Sequence, residues 1–254
     1  MPDLMLSDDQ LRSFDEHGYL ILPGLADPAQ CDEMVRFAAH ELAREAMPIE
    51  FEADTQYPGA PSSRQAEGGR TARRLLQAYG RSPMISAWAT GAALAWPLKQ
   101  LLGPQTYLVQ AHHNCIMTKQ PRFSSLTGWH RDVRYWHFER PELISAWLAL
   151  GQETPENGCL SVIPGSHHTT ISTAQLDQAQ FLRTDLPENQ SLIGQAVLVP
   201  LNKGDVLLFH SNLFHCAGNN RTTQNKLSLV FTYRSGDNLA AAGTRSASQP
   251  DIPL

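Results

Sequence analysis

No stretch of roughly 18 consecutive apolar residues occurs in the 254-residue chain, which excludes a membrane-spanning helix of ordinary length. Basic excess is missing too. Twenty Lys and Arg stand against 25 Asp and Glu, a formal charge of −5, so nothing supplies the positive surface that a phosphate backbone requires. The cysteines Cys31, Cys115, Cys159 and Cys216 are widely spaced with no CxxC pair, which argues against a zinc knuckle or disulfide frame and for reduced thiols. The opening MPDLMLSDDQLRSFDEHGY lacks a basic region followed by an apolar one, so a cytoplasmic location is expected rather than export. Neither an internal repeat nor a second core is visible. With 42% hydrophobic and 18% charged residues, the composition is that of a soluble globular domain. A small-molecule partner is expected, with neither nucleic acid nor membrane.

Residues 7–18 fit a short helix with Ser7 as N-cap, Gln10 completing a capping box and Gly18 at the stop. Tyr19–Leu22 reads as a first strand, and the segment from Asp27 onward, with Pro28 at the first helical position, as an amphipathic helix. Residues 48–70 are rich in Pro, Gly, Ser and charge and read as a long loop, a candidate lid. RRLLQAYG and SPMISAWATGAALAWPLKQLLG then resume helical patterning up to Gly103. From residue 106 the texture changes to short β-prone runs separated by turn residues: TYLVQAHHNCIMT, ELISAWLAL, CLSVIPG, AVLVPL, DVLLFH and KLSLVFTYR. Helices first and strands afterwards predict an α+β fold. We expect a single domain, with helical residues 1–104 buttressing a jelly-roll core 105–236, and a loose tail 237–254.

Trp129-His130-Arg131-Asp132 sets an imidazole and a carboxylate two residues apart, on one face of an extended strand. A third ligand is offered far downstream, in Gly204–His215, by His210 or His215. Two His and one carboxylate leave three coordination positions free, the facial set that suits non-haem Fe(II) with a chelating co-substrate and O2. Zinc more often takes a closed tetrahedral set, and no fourth ligand is indicated by spacing. HxD alone is a weak signal among ten histidines, since most His–Asp neighbours are ordinary core or surface pairs. His112 and His113 fall on one strand with opposite facings, and His137, His167 and His168 read as loop residues.

Context sharpens the signal. AWLAL follows the HxD, then ENGCLSVIPGSH at 156–167, then GDVLLFHSNLFH at 204–215. The order and spacing of these blocks, together with the N-terminal helix and HGYLILPG, resemble the phytanoyl-CoA dioxygenase family of Fe(II)/2-oxoglutarate oxygenases over most of residues 7–235. The resemblance implies a double-stranded β-helix (cupin-like) core with His130, Asp132 and His215 as the iron ligands and catalytic centre. It selects His215 because the family's distal ligand follows a GD-apolar-Phe strand after a short turn. It implies a reaction in which 2-oxoglutarate is decarboxylated to succinate and CO2 while an unactivated C–H bond is hydroxylated. Asp132 closes the halogenating variant, in which a small residue replaces the carboxylate.

The family places an Arg eleven residues after the distal His, where this chain has Lys226. Lys226 and Ser228 share one face of a strand, so ammonium and hydroxyl could clasp the distal carboxylate of 2-oxoglutarate, with Lys as a point charge rather than a planar fork. Arg221 and Arg234 are the alternative cations, with plainer readings as a turn residue and a strand-end surface residue. Trp147 is implied as a pocket wall and is equally readable as core. Arg134, Tyr135 and Trp136, after the HxD, are candidate substrate contacts. Arg70, Arg73 and Arg74 read rather as a basic helix end at the surface. A small secondary metabolite, lipid or amino-acid derivative is the expected substrate. The rival readings are a differently metallated cupin-like enzyme and a non-catalytic binding protein.

Overall fold

A computed structural model describes residues 5–55 and 57–254. Helix α1 (Asp8–His17) opens on the predicted reciprocal cap between Ser7 and Gln10 and ends at Gly18, whose φ of 77° lies in the left-handed region. A Cβ at Gly18 would lie 2.4 Å from the His167 ring, so this position needs glycine for its backbone and for its space. β1 (Tyr19–Leu22) follows, then α2 (Pro28–Ala43), capped by the Asp27 carboxylate and started by Pro28.

Two stretches depart from expectation. The predicted loop 48–70 begins with strand β2 (Ile49–Phe51), and RRLL, read as helical, is strand β3 (Ala72–Leu76). β3 pairs with β2 on one side and with β4 (Thr106–Lys119) on the other. A run this short carries no distinguishing period, and the neighbouring strand edge decides its conformation. α3 (Pro83–Ala89) and α4 (Ala92–Leu102) are helical as expected.

β5 (Thr127–His130), β6 (Leu143–Ala149), β7 (Leu160–Val162), helix α5 (Pro187–Ile193), β8 (Val197–Val199), β9 (Val206–His210), β10 (His215–Ala217), β11 (Lys226–Ser235) and β12 (Ile252–Pro253) complete the chain. They form two antiparallel sheets. The larger runs β1-β9-β6-β11-β4-β3-β2, with β12 on β4, and the smaller runs β5-β10-β7-β8. From β4 to β11 the chain crosses repeatedly between the two sheets, staying in one only from β7 to β8.

Alternation along β11 assigns its two faces. Leu227, Leu229, Phe231 and Tyr233 join the core beneath the helices, with Met34, Ile85, Trp88 and Leu98. Val230 belongs instead to a second core with Trp147, Leu160, Phe209 and Ala217, which draws on both sheets. Both faces of β11 are covered, which is why its sequence reads as nearly continuous apolar residues rather than a clean alternation. Among the described residues no helix is long and apolar enough to cross a membrane.

The tail is not loose. β12 pairs with β4, the Leu254 amide donates to the Thr106 carbonyl at 3.0 Å, and Arg234 Nε meets Asp251 Oδ2 at 2.6 Å. Asn238 and Ser246 are buried. Small polar residues, which suggest disorder by composition, here serve as hydrogen-bond partners for buried backbone. Asn238 Nδ2, for example, donates to the carbonyls of Arg140 and Glu142.

Candidate active site

β5 and β10 are antiparallel neighbours, and their register sets His215 directly opposite His130. Asp132 begins the helical turn that follows β5, while the intervening Arg131 turns away to donate to the carbonyls of Ser166 and Thr169. One ligand atom from each of His130, Asp132 and His215 lies within 4.8 Å of the others, and all three residues are buried. Asp132 Oδ1 is 3.8 Å from His130 Nε2 and 3.6 Å from His215 Nε2.

Each imidazole is oriented by its own strand. His130 Nδ1 lies 2.9 Å from the Gly128 carbonyl and His215 Nδ1 3.1 Å from the Leu213 carbonyl. A carbonyl only accepts, so Nδ1 carries the proton and Nε2 presents its lone pair to the gap between the three groups. Burial, and then the neighbouring His215, holds the His130 conjugate acid well below the ordinary imidazole range. The second oxygen of Asp132 accepts from Ser145 Oγ at 3.3 Å. Neutral imidazoles, a carboxylate and a supporting hydroxyl form a donor set that fits a divalent cation with room on one side.

A cavity of about 330 Å³ opens from this cluster, bounded by β4, β6, β9, β10 and β11. Trp147, Ser228 and Lys226 all line it. The expectation that Lys226 and Ser228 grip one carboxylate is met by a residue of the chain itself. Lys226 Nζ is 2.7 Å from Glu153 Oε2, Ser228 Oγ donates to Oε1 at 2.5 Å, and Trp147 Nε1 donates to the same oxygen at 2.9 Å. Glu153 is 1% exposed. Its position is fixed by a backbone bridge to Leu201.

The phytanoyl-CoA dioxygenase family model matches residues 14–228, most of the chain. The chain belongs to that family. It is accordingly a non-haem iron, 2-oxoglutarate-dependent dioxygenase. Among curated relatives, an ectoine dioxygenase of Sphingopyxis alaskensis is 28% identical over 253 residues, covering 93% of this chain and 78% of the relative. An L-proline trans-4-hydroxylase of Streptomyces griseoviridis is 28% identical over 214 residues, covering 74% and 79%. The solved structure of EctD from S. alaskensis with 2-oxoglutarate and 5-hydroxyectoine superposes with a TM-score of 0.76 at 25% identity, over 93% of this chain and 78% of that one. A non-heme alpha-ketoglutarate-dependent epimerase of nogalamycin biosynthesis shares the fold, with a TM-score of 0.74 at 22% identity over 94% and 85%.

Within this family member the remaining candidates separate cleanly. His210 sits on β9 away from the cluster, its Nδ1 accepting from the Asn212 amide, and burial lowers its pKa to about 4. Arg221 is exposed and Arg234 is tied to Asp251, so neither alternative cation reaches the cavity. Arg134 is not a lining residue either. Its guanidinium lies 3.8 Å over the Phe181 ring and donates to the Ala179 carbonyl and the Tyr57 hydroxyl, bracing the loops at the mouth. Tyr135 and Trp136 do line the cavity.

Arg73 and Arg74 are not a surface helix end. Both are on β3 and both line the cavity. Arg74 pairs bidentately with Glu50 at 2.5 and 2.9 Å; Arg73 reaches Glu52 at 3.3 Å, Ser125 at 2.7 Å and Thr127 at 2.8 Å. Arg70 alone stays at the surface, paired with Glu45.

His112 and His113 both line the cavity, although strict alternation would admit only one. The cause is a bulge. β11 residues Phe231 and Thr232 face Asn114 and Val109, so Gln110–His113 have no partners and arch out of register. His113 Nδ1 comes to 3.4 Å from Asp132 Oδ2, and His112 Nε2 bonds Ser246 Oγ at 2.7 Å. The tail residue Arg245 also lines the mouth. Sequence reading missed Glu153, Lys119, Ser145 and the tail. A lysine ending an apolar β-run and a glutamate just past another were the only available cues, and neither is specific.

Proposed function

We propose that the chain is one oxygenase domain in which His130, Asp132 and His215 hold ferrous iron and the enzyme hydroxylates an aliphatic C–H bond of a small, polar, amino-acid-like molecule. The repeated crossing of the chain between two sheets from β4 to β11 supports reading the core as a double-stranded β-helix. Bound there, iron supplies O2 activation coupled to conversion of 2-oxoglutarate into succinate and CO2. The chain's own contribution is positional. Backbone carbonyls fix both imidazole tautomers, Ser145 orients the carboxylate, and Trp147, Phe209 and Val230 wall the cavity against water. The lysine end of the cavity, where Lys119 and Lys226 face each other on β4 and β11, matches the far carboxylate of the co-substrate.

One observation carries the substrate class. At about 330 Å³ the cavity is at the lower end of small-molecule sites and must also admit the co-substrate, which leaves space for a compact molecule. Its lining presents both signs of charge, Arg74 with Glu50 and exposed Arg245, beside Tyr135 and Trp136. A zwitterion fits such a lining better than an acyl thioester. The ectoine dioxygenase and proline hydroxylase relatives act on molecules of this kind by name. Four unpaired thiols support a reducing, cytoplasmic setting.

The test is succinate release from 2-oxoglutarate across a panel of cyclic and linear amino acids, their derivatives and acyl thioesters. Stimulation confined to amino-acid-like members, with a product 16 mass units heavier, is the expected outcome. Stimulation by acyl thioesters alone contradicts the substrate class, and no succinate from correctly folded, iron-loaded protein contradicts the reaction.

A further inference from the structure

The donors of the metal site stand where a short strand ladder ends. β5 stops at His130 and β10 starts at His215, so this pair is the last of their register, and an irregularity interrupts the ladder before Ala217 meets Thr127. Asp132 and the turn before His215 lie beyond it. There the Val133 amide reaches the Ser211 carbonyl at 3.3 Å, longer than most such bonds. Groups that act on one centre must be held to within about 0.5 Å, so a firmer link is needed at this end.

That link lies on the outer face of the smaller sheet. Arg131 stands between the donors His130 and Asp132 but points away from the cavity, and its guanidinium lies 4.2 Å over the ring of Phe214, the residue before His215. Its Nη2 donates to the carbonyls of Ser166 and Thr169, both at 2.6 Å. The same turn grips the distal arm. Ser166 Oγ accepts from the Phe214 amide at 2.9 Å, the Ile163 amide donates to the Phe214 carbonyl at 2.9 Å, and Asn212 Nδ2 donates to the His167 carbonyl at 3.0 Å. Buried Ser166 therefore joins the two arms, its carbonyl taking Arg131 and its hydroxyl taking Phe214.

A charge in this place is costly. Among the described residues the polar partners of Arg131 are these two neutral carbonyls, and its Nε is buried with no acceptor. A methionine would cover Phe214 without that penalty. What the guanidinium adds is a rigid plane that stacks on one arm while donating to the turn that holds both. We infer that Arg131, acting through Ser166 and Phe214, is a positioning residue that sets the separation of the HxD arm and the distal arm of the metal site. This rests on the reading of His130, Asp132 and His215 as iron ligands. Arg131 does not line the cavity, so it acts from behind the donors and not on the substrate.

The test is the Fe(II) dissociation constant, measured anaerobically by competition with a chromophoric chelator on protein shown to be folded, beside the thermal midpoint of the metal-free form. Arg131→Met should weaken Fe(II) binding by about tenfold or more, the range for groups that orient metal ligands. Arg131→Lys still offers donors to both carbonyls and should recover part of the loss. Ser166→Ala should weaken binding as well. The double variant Arg131→Met/Ser166→Ala should be within about twofold of the weaker single variant, because both substitutions open one link. Losses that multiply would overturn the shared link. Wild-type Fe(II) affinity in Arg131→Met, whatever its thermal midpoint, would show a residue that only supports the fold and would overturn the inference. Should Arg131→Met fail to fold, Ser166→Ala decides in its place: weakened affinity supports the link and unchanged affinity contradicts it. Absence of Fe(II) binding in the wild type would instead remove the metal reading beneath it.

Discussion

Glu153 ties together three side chains that line the cavity, Trp147, Lys226 and Ser228. Its carboxylate accepts from three side chains and is shut off from water, so removing a single partner strands a charge. Breaking a buried pair in this way costs about 3–5 kcal/mol, whereas replacing both members by apolar groups is often neutral. Lys226→Met alone should therefore lower thermal stability sharply, and adding Glu153→Met should recover most of the loss; thermal unfolding of the two variants checks it. Equal destabilisation would mean the pair is not the coupled unit the geometry indicates.

Lys119 carries a pH signature with a definite sign. Burial, then Arg73 and Lys226, bring its pKa in the folded protein down from 10.5 to about 7, so the ligand-free protein loses that proton progressively as pH rises through this range. The groups facing it are Arg73 from β3 and Lys226 from β11, which disfavour the proton, and Glu52 and Cys216, which favour it. A carboxylate bound beside Lys119 raises its pKa again, so binding at pH 8 should take up close to one proton. Affinity for 2-oxoglutarate should then fall with rising pH above about 7 and level off below it. Calorimetric titrations in buffers of different ionisation enthalpy measure the uptake directly. No uptake at pH 8, or uptake that persists in Lys119→Met, would contradict the reading of the lysine end as the place of the co-substrate's far carboxylate. The same lysine makes the ligand-free fold gain stability as pH rises from 7 toward 10.5, because over that window the unfolded chain holds the extra proton.

At the scale of elements, what was legible and what was not divides along physical lines. Helices α1 and α2 were readable because their caps are local: Ser7 with Gln10, Asp27 with Pro28. The convergence of His130, Asp132 and His215 was legible only through the order of the blocks shared with the family, which pointed to His215 rather than His210; the HxD spacing alone was too weak a signal. β3 was not, since ARRLL is settled by the edge of β4 rather than by its own pattern. Nor was the bulge at Gln110–His113, which depends on where β11 falls out of step. Lys226 and Ser228 were expected to clasp the carboxylate of 2-oxoglutarate; they do face the same way, but the carboxylate between them in the structure is that of Glu153, which lies beyond a strand in a segment without periodicity and was not legible.

The tail belongs to this scale as well. Ser246 Oγ joins His112 Nε2 at 2.7 Å and accepts from the His137 amide at 2.8 Å, tying the bulge to the loop after the ligand turn. Ser246→Ala should cost about 1 kcal/mol or more, because a buried amide and ring nitrogen lose their partner. It should raise the KM for the primary substrate more than that for 2-oxoglutarate, since the tail borders the mouth and not the lysine end. An equal rise in both would remove the tail from the substrate's side of the cavity.

Taken as a whole, the molecule holds a cavity between two sheets, with the proposed metal donors contributed by the smaller sheet and the turn after β5, and a charged end contributed by the larger. Helices α1–α4 back the larger sheet and leave its opposite face to chemistry. This division explains why the HxD and distal His can be far apart in sequence and adjacent in space: β5 and β10 are neighbours, and His130 opposes His215 in their register. The central claim is therefore geometric, and it names which histidine is the third ligand.

Anaerobic addition of Fe(II) and 2-oxoglutarate to wild-type protein, His215→Ala and His210→Ala, followed by visible absorption, tests it most directly. The account predicts a weak metal-to-ligand charge-transfer band in the wild type and in His210→Ala, and its loss in His215→Ala. A band that survives in folded His215→Ala and disappears in His210→Ala would contradict it.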